Sequence, residues 1–278
     1  MVVFEAIRAA AERLAATSDT ARLDAELLMA HALGASRSDM LIRHMSDGVP
    51  AAFDAFVARR TDHEPVAHIV GEQEFFGLPF AVTPDVLIPR ADSESVVQAA
   101  LDAAPWAKRV LDCGTGSGAL LLAILERLEE AEGVGVDASQ AALGVAQRNV
   151  DFFGNGSRVN LLHRDWNKPG WAKDLGAFDL IVCNPPYVED DAELDRDVKD
   201  FEPSDALFAG ADGLDDYRVL IPQLPGLLNA GGVAVLEIGD TQADAVTELA
   251  EKAGFGVEVR HDLANRPRAL VLSSGNWE

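Results

Sequence analysis

The segment Asn184-Pro185-Pro186-Tyr187 has the makings of a stiff corner lined with hydrogen-bond acceptors. Two successive prolines fix φ at both positions, push Asn184 out of helical geometry and carry no N–H of their own. The Asn184 side-chain oxygen and the Pro185 carbonyl can together accept both hydrogens of a substrate NH2 group, while the Tyr187 ring covers its planar π system. Such a corner selects planar amino groups; a rigid turn without a ligand is the plainer alternative. A second stretch with chemical promise is Asp112-Cys113-Gly114-Thr115-Gly116-Ser117-Gly118. Glycines let the backbone turn tightly and approach a ligand closely, and a helix that starts behind them offers unpaired N–H groups and a positive dipole end. Asp137 follows at roughly the distance where an acid meets ribose hydroxyls. Glycines alone would be weak evidence, since a sharp turn needs them too. With strand, glycines, helix and acid in order, a cofactor site is the stronger reading.

The flanking patterns supply the elements that must position these groups. Apolar runs of strand length at 109–113, 133–137, 158–162, 178–183 and 232–238 alternate with helical patterns at 92–103, 117–130, 139–151, 213–229 and 241–253. Alternation of this kind predicts an α/β domain with a mostly parallel sheet covered on both faces. Ligands of such sheets lie beyond the carboxyl ends of the strands, so the glycine loop after 109–113 and the corner after 178–183 should open into one crevice. Two closing runs, 255–259 and 269–272, leave no room for a crossover helix and should pair antiparallel. Upstream, residues 1–72 read as helices. Phe4, Ile7, Ala10, Ala11 and Leu14 recur at helical spacing, a second segment begins near Leu23 and stops at Gly34, and further amphipathic stretches cover 37–46 and 50–60. Aromatic and β-branched residues punctuated by turn formers from Phe75 to Pro89 suggest a β-hairpin. The domain expectation is therefore 1–72 helical, 73–90 a hairpin linker and 91–278 the α/β domain.

Composition narrows the function. The 278 residues are 48% hydrophobic and 25% charged, which suits soluble domains with real cores, and no window approaches the roughly 20 uncharged apolar residues of a bilayer span. We therefore expect a cytoplasmic protein without a membrane partner. Asp and Glu number 46 against 23 Lys and Arg, a formal charge of −23 that repels polyanions. Residues 1–72 hold 7 basic and 11 acidic residues, so the acidity is concentrated in the rest. Between Glu189 and Glu202 eight acids meet only Arg196 and Lys199, a solvated face that disfavours nucleic acid whatever else it does. The two cysteines, Cys113 and Cys183, read as buried thiols, and the six histidines show no metal-ligand spacing, so no metal is expected.

The glycine loop is not the G-x-G-x-x-G of nicotinamide dinucleotide proteins; as G-x-G-x-G led by Asp112, it resembles the S-adenosylmethionine site of class I methyltransferases. That likeness implies a Rossmann-like domain in which Asp112, Gly114, Thr115, Gly116 and Gly118 pass beside the amino acid part of the cofactor. Asp137 would bond the ribose, Asp165 and Trp166 would border adenine, and Asn184 would also reach the cofactor. Simple core packing is the plainer reading of Trp166. With a methyl sulfonium as donor, the corner makes chemical sense. An amide or aryl-amine nitrogen has a delocalised lone pair, and acceptors that hold its two hydrogens would direct that lone pair at the methyl carbon. No catalytic histidine is needed, because the methylated nitrogen is acidic and loses its proton readily.

Asn-Pro-Pro-Tyr is shared by enzymes that methylate adenine and by enzymes that methylate glutamine side chains. Taken whole, the chain resembles the protein-(glutamine-N5) methyltransferase family that modifies peptide chain release factors, known as PrmC or HemK. The resemblance is carried by Gly71-Glu72-Gln73-Glu74-Phe75-Phe76-Gly77, Val82-Thr83-Pro84-Asp85-Val86-Leu87-Ile88-Pro89-Arg90, the glycine loop, Asn184-Pro185-Pro186-Tyr187-Val188, Ala206-Leu207-Phe208-Ala209-Gly210 and Asp212-Gly213-Leu214. It covers the chain from about residue 70 onward. Where that family often has Pro-Arg-Pro-Glu-Thr-Glu, this chain has Pro89-Arg90-Ala91-Asp92-Ser93-Glu94. The resemblance implies methylation of the glutamine in the Gly-Gly-Gln loop of bacterial class I release factors. Asn184, Pro185, Pro186 and Tyr187 would bind that glutamine, with Asn184, Pro185 and Tyr187 the catalytic set, and the helical domain and hairpin would help dock the protein substrate. An adenine-N6 methyltransferase and a non-catalytic binding module that keeps the fold are the alternatives.

Overall fold

The computed structural model describes residues 1–274, so the last four residues of the expected 91–278 domain lie outside the described residues. The chain divides into two compact units, one made of Met1–Glu72 with Leu194–Glu202, the other of Gln73–Glu193 with Pro203 onward.

In the first unit the helices are α1 (Val3–Leu14), α2 (Ala21–Leu33), the short α3 (Arg37–Asp39) running into a π-turn at Met40–His44, α4 (Phe53–Thr61) and α5 (Val66–Val70). α1 buries Val3, Ala6, Ile7, Ala10 and Leu14. The apolar stripe is therefore rotated from the expected one, and Phe4 remains about half exposed at 48%. Gly34 ends α2 at φ 63 with its N–H on the Ala30 and His31 carbonyls, the expected stop. α5 was not legible in the sequence because it is only five residues long and follows Pro65 directly. Arg60 donates to Asp24 at 2.7 Å and lies 3.6 Å from the Asp197 carboxylate, which binds the later segment into this unit.

The second unit opens with a hairpin of β1 (Glu72–Phe75) and β2 (Leu78–Ala81), then α6 (Glu94–Ala103), β3 (Arg109–Cys113), α7 (Ala119–Arg127), β4 (Glu132–Asp137), α8 (Gln140–Phe152), β5 (Val159–His163) and β6 (Phe178–Cys183). The one-turn α9 (Arg196–Lys199) belongs to the first unit. After it come α10 (Asp215–Leu220), β7 (Leu228–Glu237), α11 (Ala243–Lys252), β8 (Phe255–His261) and β9 (Pro267–Ser274).

Two expectations need correction. The hairpin sits earlier than the run 75–89, because Phe76 (φ 54) and Gly77 (φ 78) form the two-residue turn and Val86–Pro89 is not a strand. Two positive φ values are what such a turn demands, and the Phe76 N–H is held by the Glu94 carboxylate at 2.9 Å. The helix expected over 213–229 breaks after Leu220 into a 3-10 segment, Ile221–Gly226, because Pro222 and Pro225 cannot donate to an α-helical ladder.

The seven-stranded sheet has the order β5-β4-β3-β6-β7-β9-β8, parallel except for β9 and β8 at one edge. The expected closing pair is antiparallel. Successive strand residues face opposite layers. Val110, Leu180, Val182 and Val235 join α6, α7, Phe75 and Phe80 on one side, while Leu111, Ile181, Ala234 and Leu236 meet α10 and α11 on the other. Strand order reverses between β3 and β6, and Cys113 pairs with Cys183, so Gly114 and Asn184 leave the sheet side by side at this switch point.

Candidate active site

The glycine loop is built almost wholly from its own neighbourhood. Gly114 and Thr115 both donate their N–H to the Val136 carbonyl at 2.9 Å, and Gly118 donates to the Thr115 carbonyl at 2.7 Å. Gly114, Gly116 and Gly118 all have positive φ (73, 54 and 82), conformations that side chains disfavour, and Gly118 caps α7. Beneath the loop, the fully buried Asp112 accepts the Thr115 hydroxyl at 2.7 Å. Burial pushes the Asp112 carboxyl up to about 7, with the Asp137 charge adding to it and the Thr115 bond opposing. Asp137 receives the Gly116 N–H at 2.9 Å and the Ser139 N–H at 2.8 Å, one on each oxygen. Burial still raises its carboxyl above the ordinary range. Each oxygen keeps a lone pair for a ligand hydroxyl. Asn149, buried in α8, ties the loop to the hairpin: it donates to the Ser117 carbonyl at 2.8 Å and exchanges hydrogen bonds with Ala81.

A cavity of about 580 Å³ opens beside this loop. Its wall brings together Gly114, Thr115, Gly116 and Asp137 with Asp165, Trp166, Asn184 and Pro186. Gly114 is the hinge of the arrangement. A Cβ there would stand 3.1 Å from Cη2 of Trp166 and 4.0 Å from the main-chain oxygen of Asn184. The glycine thus makes room for the flat indole, which donates from Nε1 to Asp216 at 2.8 Å. Burial lifts the Asp216 carboxyl, and the indole bond pulls it back. The remaining expected residues lie outside the wall: Asp112 beneath the loop, Gly118 at the helix start, Pro185 buried, and Tyr187 with its phenol on Glu237 at 3.2 Å. Among the described residues, five aspartates and one cation, Arg90, line the cavity, a wall suited to a cationic ligand and not to a polyanion. Of the acidic run, Leu194–Glu202 groups with the first unit, so only its earlier part shares a unit with the cavity.

Comparisons with known proteins place the chain as a whole. The PrmC N-terminal domain model matches residues 5–71 and the methyltransferase small domain model residues 92–201. A release factor glutamine methyltransferase of Moorella thermoacetica is 41% identical over 98% of this chain and 98% of its own. The chain belongs to the release factor glutamine methyltransferase family. A relative of the same name from Geobacter sulfurreducens is 43% identical, with 85% of this chain and 84% of that one covered. Among solved structures, a methyltransferase from Pyrococcus furiosus is 20% identical with a TM-score of 0.52, covering 79% of this chain and 98% of that one. That likeness shows the fold alone, and the fold is that of a class I methyltransferase.

What the sequence did not reveal is how this family member holds its Asn-Pro-Pro-Tyr corner. The Tyr187 and Val188 N–H groups both donate to the Leu207 carbonyl, at 3.2 and 2.8 Å. Gln242 donates to the Tyr187 carbonyl at 3.0 Å and to Gly213 at 3.2 Å. Gly213, at φ 66, lies so close that any Cβ would collide with the Tyr187 carbonyl. The segments around 207 and 213 were recognisable as motifs, but nothing in their composition indicated this task.

Proposed function

We propose that this chain transfers a methyl group from S-adenosylmethionine to the side-chain amide nitrogen (N5) of the glutamine in the Gly-Gly-Gln loop of bacterial class I peptide chain release factors. The observation that carries the reading is Gly114 set between Trp166 and Asn184, with glycine loop and corner facing one cavity. Gly114, Thr115, Gly116 and Asp137 would hold the amino acid and ribose parts of the cofactor, with Asp112 and Gly118 shaping the loop from behind. Asp165 and Trp166 would flank adenine. When bound, S-adenosylmethionine supplies a methyl group on a sulfonium that leaves as a neutral thioether, and the acidic wall favours that cation.

Asn184 Oδ1 and the Pro185 carbonyl would accept the two amide hydrogens, so that the nitrogen lone pair faces the methyl carbon. With that donor bound, the nitrogen held by Asn184 and Pro185 would take the methyl group as the methyl–sulfur bond breaks, and would then shed one proton to water. Pro186 and Tyr187 keep the corner stiff. A glutamine between glycines can enter such a cavity as a protruding loop, which a rigid helix cannot do. The reading places the chain in the cytoplasm, where release factors act; among the described residues no helix is long and apolar enough to cross a membrane. Against the adenine alternative, the described residues of the cavity wall include only one cation, Arg90, to meet phosphates. Incubation with labelled S-adenosylmethionine and either release factor or duplex DNA decides between them. Label on the glutamine of the factor is expected, and label in DNA but not in the factor would overturn the reading.

A further inference from the structure

Glu237 is a buried carboxyl that neither the cofactor cradle nor the corner's own residues require. It closes β7 one residue after Leu236, the partner of Cys183, so it follows the same end of the sheet at which Asn184 leaves β6. It is 1% exposed. Its Oε1 accepts the Tyr187 phenol at 3.2 Å, and its main-chain oxygen accepts the Tyr217 phenol at 2.7 Å. Burying such a group costs free energy that an apolar residue of the same shape would not.

The corner gives that carboxyl something to do. Pro185 and Pro186 have fixed φ, so Asn184 and Tyr187 are the two ends of a stiff spacer. Leu207 and Gln242 already hold the main chain of Tyr187. The ring also packs against the core around Cys183 and Leu236, and its phenol offers a further point at which the far end is pinned, which Glu237 takes. Resting on the amide-binding role proposed above, we infer that Glu237 is a positioning residue for methyl transfer, which holds the Tyr187 ring and so sets the orientation of Asn184 toward the attacking nitrogen.

The surroundings of Glu237 give this role a pH signature. Burial raises the carboxyl to about 7, opposed by Ser93 on the cavity wall, Arg268 from β9 and the Tyr187 phenol, and assisted by Asp92. Further titratable or charged groups coupled to this cluster are Tyr217, Cys183 and Asp216, Arg90 by way of Tyr187, and Arg266 and Asp262 by way of Asp92 and Arg268. Burial pushes Tyr217, Cys183 and Tyr187 upward, away from neutrality. Above about pH 7 the ionised carboxylate is a strong acceptor for the phenol; below it the protonated form is a weaker one.

The test uses the full chain as wild type, Glu237→Gln, Glu237→Ala, Tyr187→Phe and the Tyr187→Phe/Glu237→Ala pair, assayed with labelled S-adenosylmethionine and release factor from about pH 5.5 to about pH 8.5. Glu237→Ala should lower kcat by about 10- to 100-fold while S-adenosylhomocysteine affinity stays within about twofold of wild type. Glu237→Gln, whose amide oxygen still accepts the phenol, should recover most of kcat and lose the acid limb near neutrality. The pair should be no slower than Tyr187→Phe alone, because both changes break one contact. Wild-type kcat in Glu237→Ala, losses that multiply in the pair, or an unchanged acid limb in Glu237→Gln would overturn the proposal. That last outcome would point to Asp112 as the source of the limb. If Glu237→Ala does not fold, the pH profile of Glu237→Gln decides. A wild-type enzyme that leaves the release factor unlabelled overturns the underlying substrate reading instead, before any variant is measured.

Discussion

The glycine loop and the Asn-Pro-Pro-Tyr corner face the same cavity but are held in opposite ways. The loop closes on itself and on the end of the next strand, with Gly114, Thr115 and Gly116 all bonded to Val136 or Asp137. The corner has a stiff backbone of its own, yet its placement depends on distant residues: Leu207, Gly213, Glu237 and Gln242 all converge on Tyr187 or Val188. A cradle that must fit one constant cofactor can be built from contiguous backbone. The corner, which on the proposed function orients a reacting nitrogen, is fixed by packing from several elements, each of which can be loosened separately.

If the two halves do separate jobs, substitutions should separate them in the kinetics. The largest effect is expected from Asn184→Ala, which removes an acceptor from the attacking nitrogen and should lower kcat by about 10²-fold or more with cofactor affinity nearly intact. Steady-state kinetics alongside calorimetry with S-adenosylhomocysteine would show it, and an unchanged kcat would dismiss the role of Asn184. Asp137→Ala should do the reverse, weakening cofactor binding by about tenfold or more through the loss of charge-assisted hydrogen bonds while kcat at saturation changes little. Equal affinity would remove Asp137 from the cradle.

Gly213→Ala sharpens the contrast, since Gly213 touches no cofactor residue but crowds the Tyr187 carbonyl. Strain at φ 66 alone should cost about 1–2 kcal/mol of stability, the collision should add to it, and kcat should fall several-fold with cofactor affinity unaffected. Thermal unfolding and turnover on one preparation would test both parts. The smallest effect concerns Asp112. Its folded-state carboxyl is raised to about 7, so the native state binds a proton that the unfolded chain releases near its ordinary value of 3.8. Stability from this group is full below about pH 4 and lost as pH rises through about 7. Asp112→Asn should therefore flatten the decline in melting temperature across that window. Glu237 acts in the same direction, so a slope that vanishes only in Glu237→Gln would assign the effect to the corner instead.

The same contrast explains what could be read from the sequence. The strand, three glycines, helix and Asp137 are consecutive, so their pattern carries their geometry, and the edge-to-edge exit of Gly114 and Asn184 followed from the α/β alternation. Placements that depended on non-local packing or on turn chemistry did not follow. Phe76 adopts a positive φ that a phenylalanine does not advertise, which moved the hairpin. Pro222 and Pro225 should have stopped the helix expected over 213–229, but the apolar residues around them masked the break. Leu194–Glu202 joins the first unit through Arg60 and Asp197, an ion pair between residues far apart in the chain. Glu237 ends an apolar strand and carries no motif of its own; only the folded structure reveals its contact with Tyr187.

The most direct measurement is a crystal structure of this chain with S-adenosylhomocysteine bound. The adenine should lie against Trp166, the ribose hydroxyls on Asp137, and the sulfur should face Asn184 across the space where an amide nitrogen would sit. A sulfur turned away from Asn184, or a ligand seated elsewhere than beside Gly114, would contradict the account.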